Sequence, residues 1–137
     1  IWVGKVKRLE LKDYTVQILP KLRFHKENEA KVFVLDAYYT KYITEMLKME
    51  KESIWIGKVK RLKLKAYAVE ILPKLKLHRE NEMEELVLKT AWPGPVSWML
   101  EMENKGIRIG KVRKINLEGC AEKIKDKLDF TLVGAKE

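Results

Sequence analysis

The sequence predicts an α+β fold that is mostly helical, and two observations lead to this prediction. The phrase IWVGKVKRLELK opens the chain and returns as IWIGKVKRLKLK from Ile54 and as IRIGKVRKINLE from Ile107, a constant spacing of 53 residues. Each copy begins with β-branched, aromatic and glycine residues that favour a strand, and then adopts an apolar spacing that favours a helix. We therefore expect strand, helix A, helix B and helix C in each full unit. An all-α helical array is the alternative.

The repeat divides the chain into two full units and the first part of a third. The units cover residues 1–53, 54–106 and 107–137, and the copies align without gaps. A chain of 137 residues with 46% hydrophobic content suits one compact domain. We expect the three repeated strands to form a small sheet under the helices.

Helix A is predicted from apolar residues that recur three, four and four positions apart in every copy. Such a spacing marks one face of a helix, so all twelve residues are expected to be buried. Pro20 and Pro73 lie inside the pattern and predict a kink. The twelve residues are Leu11, Tyr14, Ile18, Leu22, Leu64, Tyr67, Ile71, Leu75, Leu117, Cys120, Ile124 and Leu128.

Helices B and C complete the unit. The segments HKENE (25–29) and HRENE (78–82) provide Asn28 and Asn81 as N-caps for helix B. Pro93-Gly94-Pro95 cannot continue a helix, so a loop should separate helix B from helix C. The segment FTLVG (130–134) is a candidate last strand. The Met and aromatic residues of these helices are assigned mostly to the core, with a partner surface as the alternative: Tyr38, Tyr39, Tyr42, Met46, Met49, Trp92, Trp98, Met99 and Met102.

Positive charge is concentrated in the segment that occurs three times. The formal net charge is +9, and residues 1–24, 54–77 and 107–130 carry +4, +6 and +3, which leaves −4 for the rest. Phosphate contacts dominate nucleic-acid affinity, so positioned cations are the main requirement for binding a polyanion. The predicted phosphate contacts are Lys5, Lys7, Arg8, Lys58, Lys60, Arg61, Lys111, Arg113 and Lys114.

One aromatic position adds to this prediction. Trp2 and Trp55 are equivalent, and the third copy has Arg108 there. Tryptophan and arginine both present a flat surface that can stack on bases, so all three are candidate nucleic-acid contacts. A structural role for the two tryptophans in the core is the alternative. Gly4, Gly57 and Gly110 are expected to mark a bulge or a close backbone approach within each strand.

No motif in the sequence indicates catalysis, a metal site or a cofactor. His25 and His78 lie in polar turns, where we interpret them as capping residues. Cys120 has no second cysteine to pair with, which favours a reduced, cytoplasmic setting, and the low Gln and Cys content is typical of thermophiles. No apolar run is long enough for a membrane span. We therefore expect a non-enzymatic protein that binds nucleic acid with low specificity. The alternative is a protein-binding or self-assembling module, with a protein partner or a homo-oligomer formed through helices B and C.

Overall fold

The structure, a computed structural model that describes residues 2–134, is dominated by strands. Strands make up 47% of the described residues and helices 29%, so the mostly helical α+β prediction and the all-helical alternative are both wrong. The strands are β1 (Trp2–Gly4), β2 (Arg8–Lys12), β3 (Arg23–Phe24), β4 (Glu29–Ala37), β5 (Ile54–Ala66), β6 (Leu75–Leu77), β7 (Glu82–Thr90), β8 (Ile107–Gly119) and β9 (Leu128–Leu132).

The helices are short connections between strands. Two single-turn α-helices, α1 (Thr44–Leu47) and α2 (Gly94–Ser97), follow β4 and β7. The remaining helical segments are 3₁₀ helices at Asp13–Lys21, Thr40–Tyr42, Tyr67–Lys74, Met99–Glu101 and Cys120–Lys127. A 3₁₀ helix rarely extends far, which suits a connector better than a core element.

The large sheet is parallel and follows chain order, β2-β4-β5-β7-β8-β9. Each connection therefore leaves the carboxyl end of one strand and returns to the amino end of the next, which is the path of a solenoid. Leu9 pairs in register with Phe33, and Phe33 pairs with Leu62. The first pair is separated by fewer residues along the chain than the second. The same two separations recur between Leu62 and Leu86 and between Leu86 and Ile115. We call one strand of the large sheet together with its connection to the next strand a coil. One repeat unit therefore contains two coils of unequal length.

The core contains a row of five leucines contributed by successive strands. They are paired in register from each strand to the next, and four of the five are buried. A second, largely buried row lies two residues earlier in each strand. The buried residues of the helices belong to the same apolar cluster, so the helices cover the inner face of the sheet. The leucine row is Leu11, Leu35, Leu64, Leu88 and Leu117.

Helix A combines the end of a strand with a 3₁₀ helix. Leu11, Leu64 and Leu117 lie in β2, β5 and β8, and the last position of each copy lies after the 3₁₀ helix, so only the two middle positions are helical. The expected burial of all twelve positions is therefore only partly met. Six are buried, four are half-buried, and Tyr14 and Ile18 are exposed.

Helix B does not exist, because its residues form β4 and β7. Both strands contain a continuous apolar run, VFVL in β4 and LVL in β7, which is typical of parallel strands and resembles a buried helix in sequence. The predicted break around Pro93-Gly94-Pro95 is present, since β7 ends at Thr90 and α2 begins at Gly94. The predicted last strand is also present as β9.

The repeated HKENE and HRENE segments form turns between coils. Nδ1 of His25 and of His78 accepts a hydrogen bond from the backbone N–H two residues later, at 3.0 and 3.1 Å. Oδ1 of buried Asn81 accepts from the backbone N–H of Val59 at 2.9 Å, and Asn28 does the same for Val6. The asparagines therefore stabilise the backbone at Val59 of β5 and at Val6 just before β2, and they are not helix caps.

The last residue of β5 and of β8, and the residue that follows β2, have a positive φ. The angles are 52° at Asp13, 55° at Ala66 and 65° at Gly119, and ψ is −130° at Ala66 and −136° at Gly119. This combination is strained for any residue with a Cβ atom, and only the third copy has glycine. The predicted bulges at Gly4, Gly57 and Gly110 are confirmed by register shifts there.

Replacing Ala66 with glycine is expected to raise the free energy of unfolding by about 1 kcal/mol. Relief of the strain contributes roughly 1–3 kcal/mol and exceeds the roughly 0.4–1 kcal/mol that glycine costs through the entropy of the unfolded chain. Urea denaturation followed by circular dichroism measures the change.

The reverse change in the third copy serves as the control. In Gly119→Ala the new Cβ atom would lie 2.3 Å from the carbonyl oxygen of Thr90, so the backbone must shift and stability should fall by about 2 kcal/mol. Destabilisation by both substitutions would contradict the strain at Ala66.

Candidate nucleic-acid interface

The outer face of the large sheet, defined as the side chains of β2, β4, β5, β7 and β8 that point away from the core, is open to solvent and highly charged. Residues on it alternate with the buried leucine rows. Val34 and Val87 lie on this face and, although buried, do not belong to the core cluster that the helices cover. An uncovered face on a parallel sheet is uncommon, because such sheets are usually covered on both sides.

All three repeated basic runs contribute to this face or to its amino-terminal margin. They belong to β2, β5 and β8 or the residues just before them, and β4 and β7 lie between these strands. Since neighbouring strands are about 4.8 Å apart, successive basic strands are roughly 10 Å apart. The fold therefore brings together the predicted phosphate contacts of the three copies.

Acidic residues from the intervening strands pair with much of this positive charge. Lys60 contacts Glu29 at 3.5 Å, Arg61 contacts Glu84 at 3.4 Å, and the third copy shows the same alternation. The remaining pairs are Arg113 with Glu82, Lys114 with Glu85 and Arg8 with Glu10, at 3.6, 3.8 and 3.6 Å. All are at least partly exposed, so each contributes little stability, but a paired cation must leave its carboxylate to bind a phosphate. Lys5, Lys7, Lys58 and Lys111 make no ion pair within residues 2–134.

Three lysines near the carboxyl ends of the strands form a second group, which we call the lysine trio: Lys63, Lys65 and Lys89. Lys63 lies between Val34 and Val87 in register, and Lys65 lies directly beside Lys89. Across the described part of the chain, none of the three makes an ion pair, although acidic residues flank the row of Lys65 and Lys89. Two like charges on adjacent strands repel each other, and an anion between them would relieve the repulsion.

Five aromatic side chains beyond the carboxyl ends of the strands form the aromatic ridge: Tyr38, Tyr39, Tyr42, Tyr67 and Trp92. They follow the carboxyl ends of β4, β5 and β7 and contact one another in an unbroken series. Successive ring centroids are 5.9, 5.1, 4.9 and 6.0 Å apart from Tyr67 through Trp92, Tyr38 and Tyr39 to Tyr42. Tyr38 and Tyr39 are more than half exposed, at 53% and 54%, and Trp92 is 36% exposed.

The sequence prediction placed these aromatic residues mostly in the core, and this was wrong for Tyr38, Tyr39 and Trp92. The available signal was their position, because each follows a strand whose own apolar residues already fill the core. Nε–H donors and hydroxyl groups on such rings also suit a surface that is partly wet.

The predicted contacts Trp2, Trp55 and Arg108 lie at the opposite end of the sheet. They belong to the amino-terminal parts of β1, β5 and β8, before the glycine bulges. Trp2 is 68% exposed and packs edge-on against His25, while half-buried Trp55 packs against His78. The structure therefore separates this row from the aromatic ridge, and neither tryptophan belongs to the deep core.

Other kinds of site have little support in the described residues. Between residues 2 and 134 no three His, Cys, Asp or Glu side chains are grouped to hold a metal ion. Cys120 is half-buried, with Sγ 3.8 Å from the carbonyl oxygen of Ala91. A depression of about 560 Å³ on the outer face is lined mainly by charged residues such as Lys31, Lys60 and Arg61. In the same part of the chain, no helix has the length and apolar character that crossing a bilayer requires.

Comparison with protein-family models, with curated proteins and with solved structures finds no match to this chain. The site must therefore be interpreted from its own geometry.

Proposed function

We propose that this chain is a non-enzymatic protein that binds nucleic acid with little base specificity through the outer face of its sheet. The observation that supports this proposal is the arrangement of the three basic runs on adjacent parts of one uncovered face. A net charge of +9 adds a long-range attraction for polyanions.

The charges of the outer face favour binding to the phosphate backbone over recognition of particular bases. Lysine carries a compact charge on a flexible stem, so it can contact phosphates without fixing one geometry. Bidentate recognition of a base edge needs an arginine or an amide at a defined position. Arg61 and Arg113 are instead paired with Glu84 and Glu82.

Ion pairing on the outer face indicates which cations should matter most. The paired residues of the basic runs contact a carboxylate directly, whereas the lysine trio makes no ion pair among residues 2–134, although Asp36 lies beside Lys65 and Glu118 beside Lys89 in register. We therefore assign the larger contribution to Lys63, Lys65 and Lys89 and a smaller one to the paired residues Lys60 and Arg61.

Replacing all three lysines of the trio with glutamine is expected to weaken binding to single-stranded DNA roughly tenfold at low salt. It should also lower the magnitude of the salt slope by about 2, because each phosphate contact contributes roughly 0.7 on single strands. Fluorescence anisotropy with labelled oligonucleotides, measured across a series of salt concentrations, provides both values.

Two further variants show whether the effect of the trio substitution depends on the position of the charges. K76Q/K105Q/K123Q removes the same charge from exposed positions away from the outer face and should change the salt slope little. K58Q/K60Q/R61Q should have an intermediate effect, since two of its cations are already paired. The proposal is wrong if the parent protein does not bind, or if the trio variant and the parent bind alike.

The alternative is a protein-binding module that uses the segments predicted as helices B and C. Helix B is replaced by β4 and β7, but Tyr38, Tyr39 and Trp92, three of the residues named for its partner surface, are exposed.

A further inference from the structure

We propose that the aromatic ridge is a stacking platform for unpaired bases, so that the preferred ligand is single-stranded nucleic acid lying across the carboxyl end of the sheet. This inference rests on the proposed function, and it specifies the class of ligand. Three observations support it: the exposure of the rings, their continuity and the cations around them.

The first observation is that the ridge is an exposed surface made of rings. Tyr38, Tyr39 and Trp92 each keep more than a third of their surface in contact with solvent. Folding normally buries such large apolar groups, and a contiguous exposed group of them indicates a binding site. Every base has a flat π surface, so a platform of rings can accept any sequence.

The second observation is that the ridge is continuous across three strands. The carboxyl ends of β4, β5 and β7 span two strand spacings, roughly 10 Å. Stacked bases are about 3.4 Å apart along a strand, so the ridge can accept roughly three of them. Tyr67 stacks on Trp92 with an interplanar angle of 23°, which shows that these two rings already lie nearly parallel.

The third observation is that cations accompany the rings. Nζ of Lys41 lies 5.6 Å from the ring centroid of Tyr39 and 5.3 Å from that of Tyr42. Lys65 lies near the carboxyl end of β5, two residues before Tyr67, and Lys89 lies near that of β7, three residues before Trp92. A single-stranded nucleic acid with its bases stacked on the ridge would therefore have lysine ammonium groups close to its phosphates.

This arrangement favours single strands over duplexes. The bases of a duplex are stacked on one another and cannot also stack on protein rings, so a duplex would contact only the cations. Tyrosine and tryptophan are also common in protein–protein interfaces, so a protein is a competing ligand for the ridge. The lysine trio favours nucleic acid over a protein, because a polyanion would bring several negative charges to it.

The test measures binding of the full chain to three labelled ligands of equal length: oligothymidine, an abasic strand and a DNA duplex. Tyr39→Ala and Trp92→Ala are each expected to weaken oligothymidine binding roughly tenfold, because stacking on one ring contributes about that much. Binding to the abasic strand and the duplex, and the salt slope, should remain as in the parent. Tyr39→Phe and Trp92→Phe should retain binding.

Leu132→Ala is the control, since Leu132 is an exposed apolar residue of β9 that belongs neither to the ridge nor to the predicted nucleic-acid contacts. Circular dichroism and thermal unfolding establish whether each variant is folded, and the parent's own affinities for oligothymidine and for the abasic strand test the inference if an Ala variant is not. Equal affinity of the parent for oligothymidine, the abasic strand and the duplex would overturn the inference.

The outcomes separate this inference from the proposed function. Loss of binding in the lysine-trio variant, with no effect of either ridge substitution, leaves phosphate binding in place and rejects the stacking platform. No binding by the parent to any ligand rejects both. If the ridge substitutions instead abolish self-association in sedimentation experiments and leave oligothymidine binding unchanged, the ridge is a protein interface and the inference is wrong.

Discussion

Replacing Leu64 with alanine is expected to lower the free energy of unfolding by about 3–5 kcal/mol. Leu64 is fully buried at the centre of the leucine row, with Leu35 on one side and Leu88 on the other. Truncation removes its transfer free energy and leaves a cavity that neighbouring strands, held by hydrogen bonds on both sides, cannot close. Urea denaturation at constant pH measures the loss.

The same substitution at Leu117 is the control for this prediction. Leu117 occupies the equivalent position in β8 and is only half-buried, so Leu117→Ala should cost about half as much. Equal losses of unfolding free energy in Leu64→Ala and Leu117→Ala would contradict the prediction, because they would show that the loss does not depend on how deeply the leucine is buried.

The second large effect concerns a buried carboxyl group in the 3₁₀ helix Tyr67–Lys74. Glu70 is 6% exposed, and its Oε2 has no hydrogen-bond partner among residues 2–134. Burial removes the charged form from water and raises the pKa of Glu70 from 4.5 to about 7. The equivalent residues Gln17 and Lys123 are exposed, so only the central copy carries this cost.

Stability is therefore expected to fall as pH rises from about 5 to about 7 and then to level off. In this range the folded chain holds a proton on Glu70 that the unfolded chain has released, so the free energy of unfolding decreases with pH. A pKa difference of this size corresponds to a total loss of roughly 3 kcal/mol. Urea denaturation at a series of pH values measures it.

Glu70→Gln should remove most of this pH dependence, because the amide does not titrate. Its stability at pH 8 should exceed that of the parent, while at pH 4.5 the two proteins should be similar. An unchanged pH profile in Glu70→Gln would assign the effect to another group.

The repeat was predictable from the sequence, and the strand content was not. Finding the period requires only that residues be compared with their copies. Choosing between strand and helix for VFVL and LVL required knowledge of what covers both sides of the segment, which is a tertiary property. The alternation Leu62-Lys63-Leu64 and its counterpart Leu86-Val87-Leu88, within the same unit, were the available signs of a shorter structural repeat.

The candidate site was predictable in part for the same reason. Charge counting identified the basic segments, and the fold places their residues along one side. Their acidic neighbours could not be identified, because Glu29, Glu82 and Glu84 were assigned to helix B or to its cap region. The aromatic residues of the ridge were named as a partner surface only in the alternative, because an aromatic residue that follows a buried strand resembles a core residue when its spatial neighbours are unknown.

The alternation of basic and acidic strands restricts how such a chain can be lengthened by gene duplication. Copying a whole repeat unit inserts two strands and preserves every ion pair, because each basic strand still meets an acidic one. Copying a single coil would place, for example, two strands of the β5 type side by side, with Lys60 and Arg61 facing their own duplicates. The segment that is duplicated is therefore the 53-residue repeat unit, which contains two coils, and not the single coil. The pairing of charges on the outer face provides a reason for this.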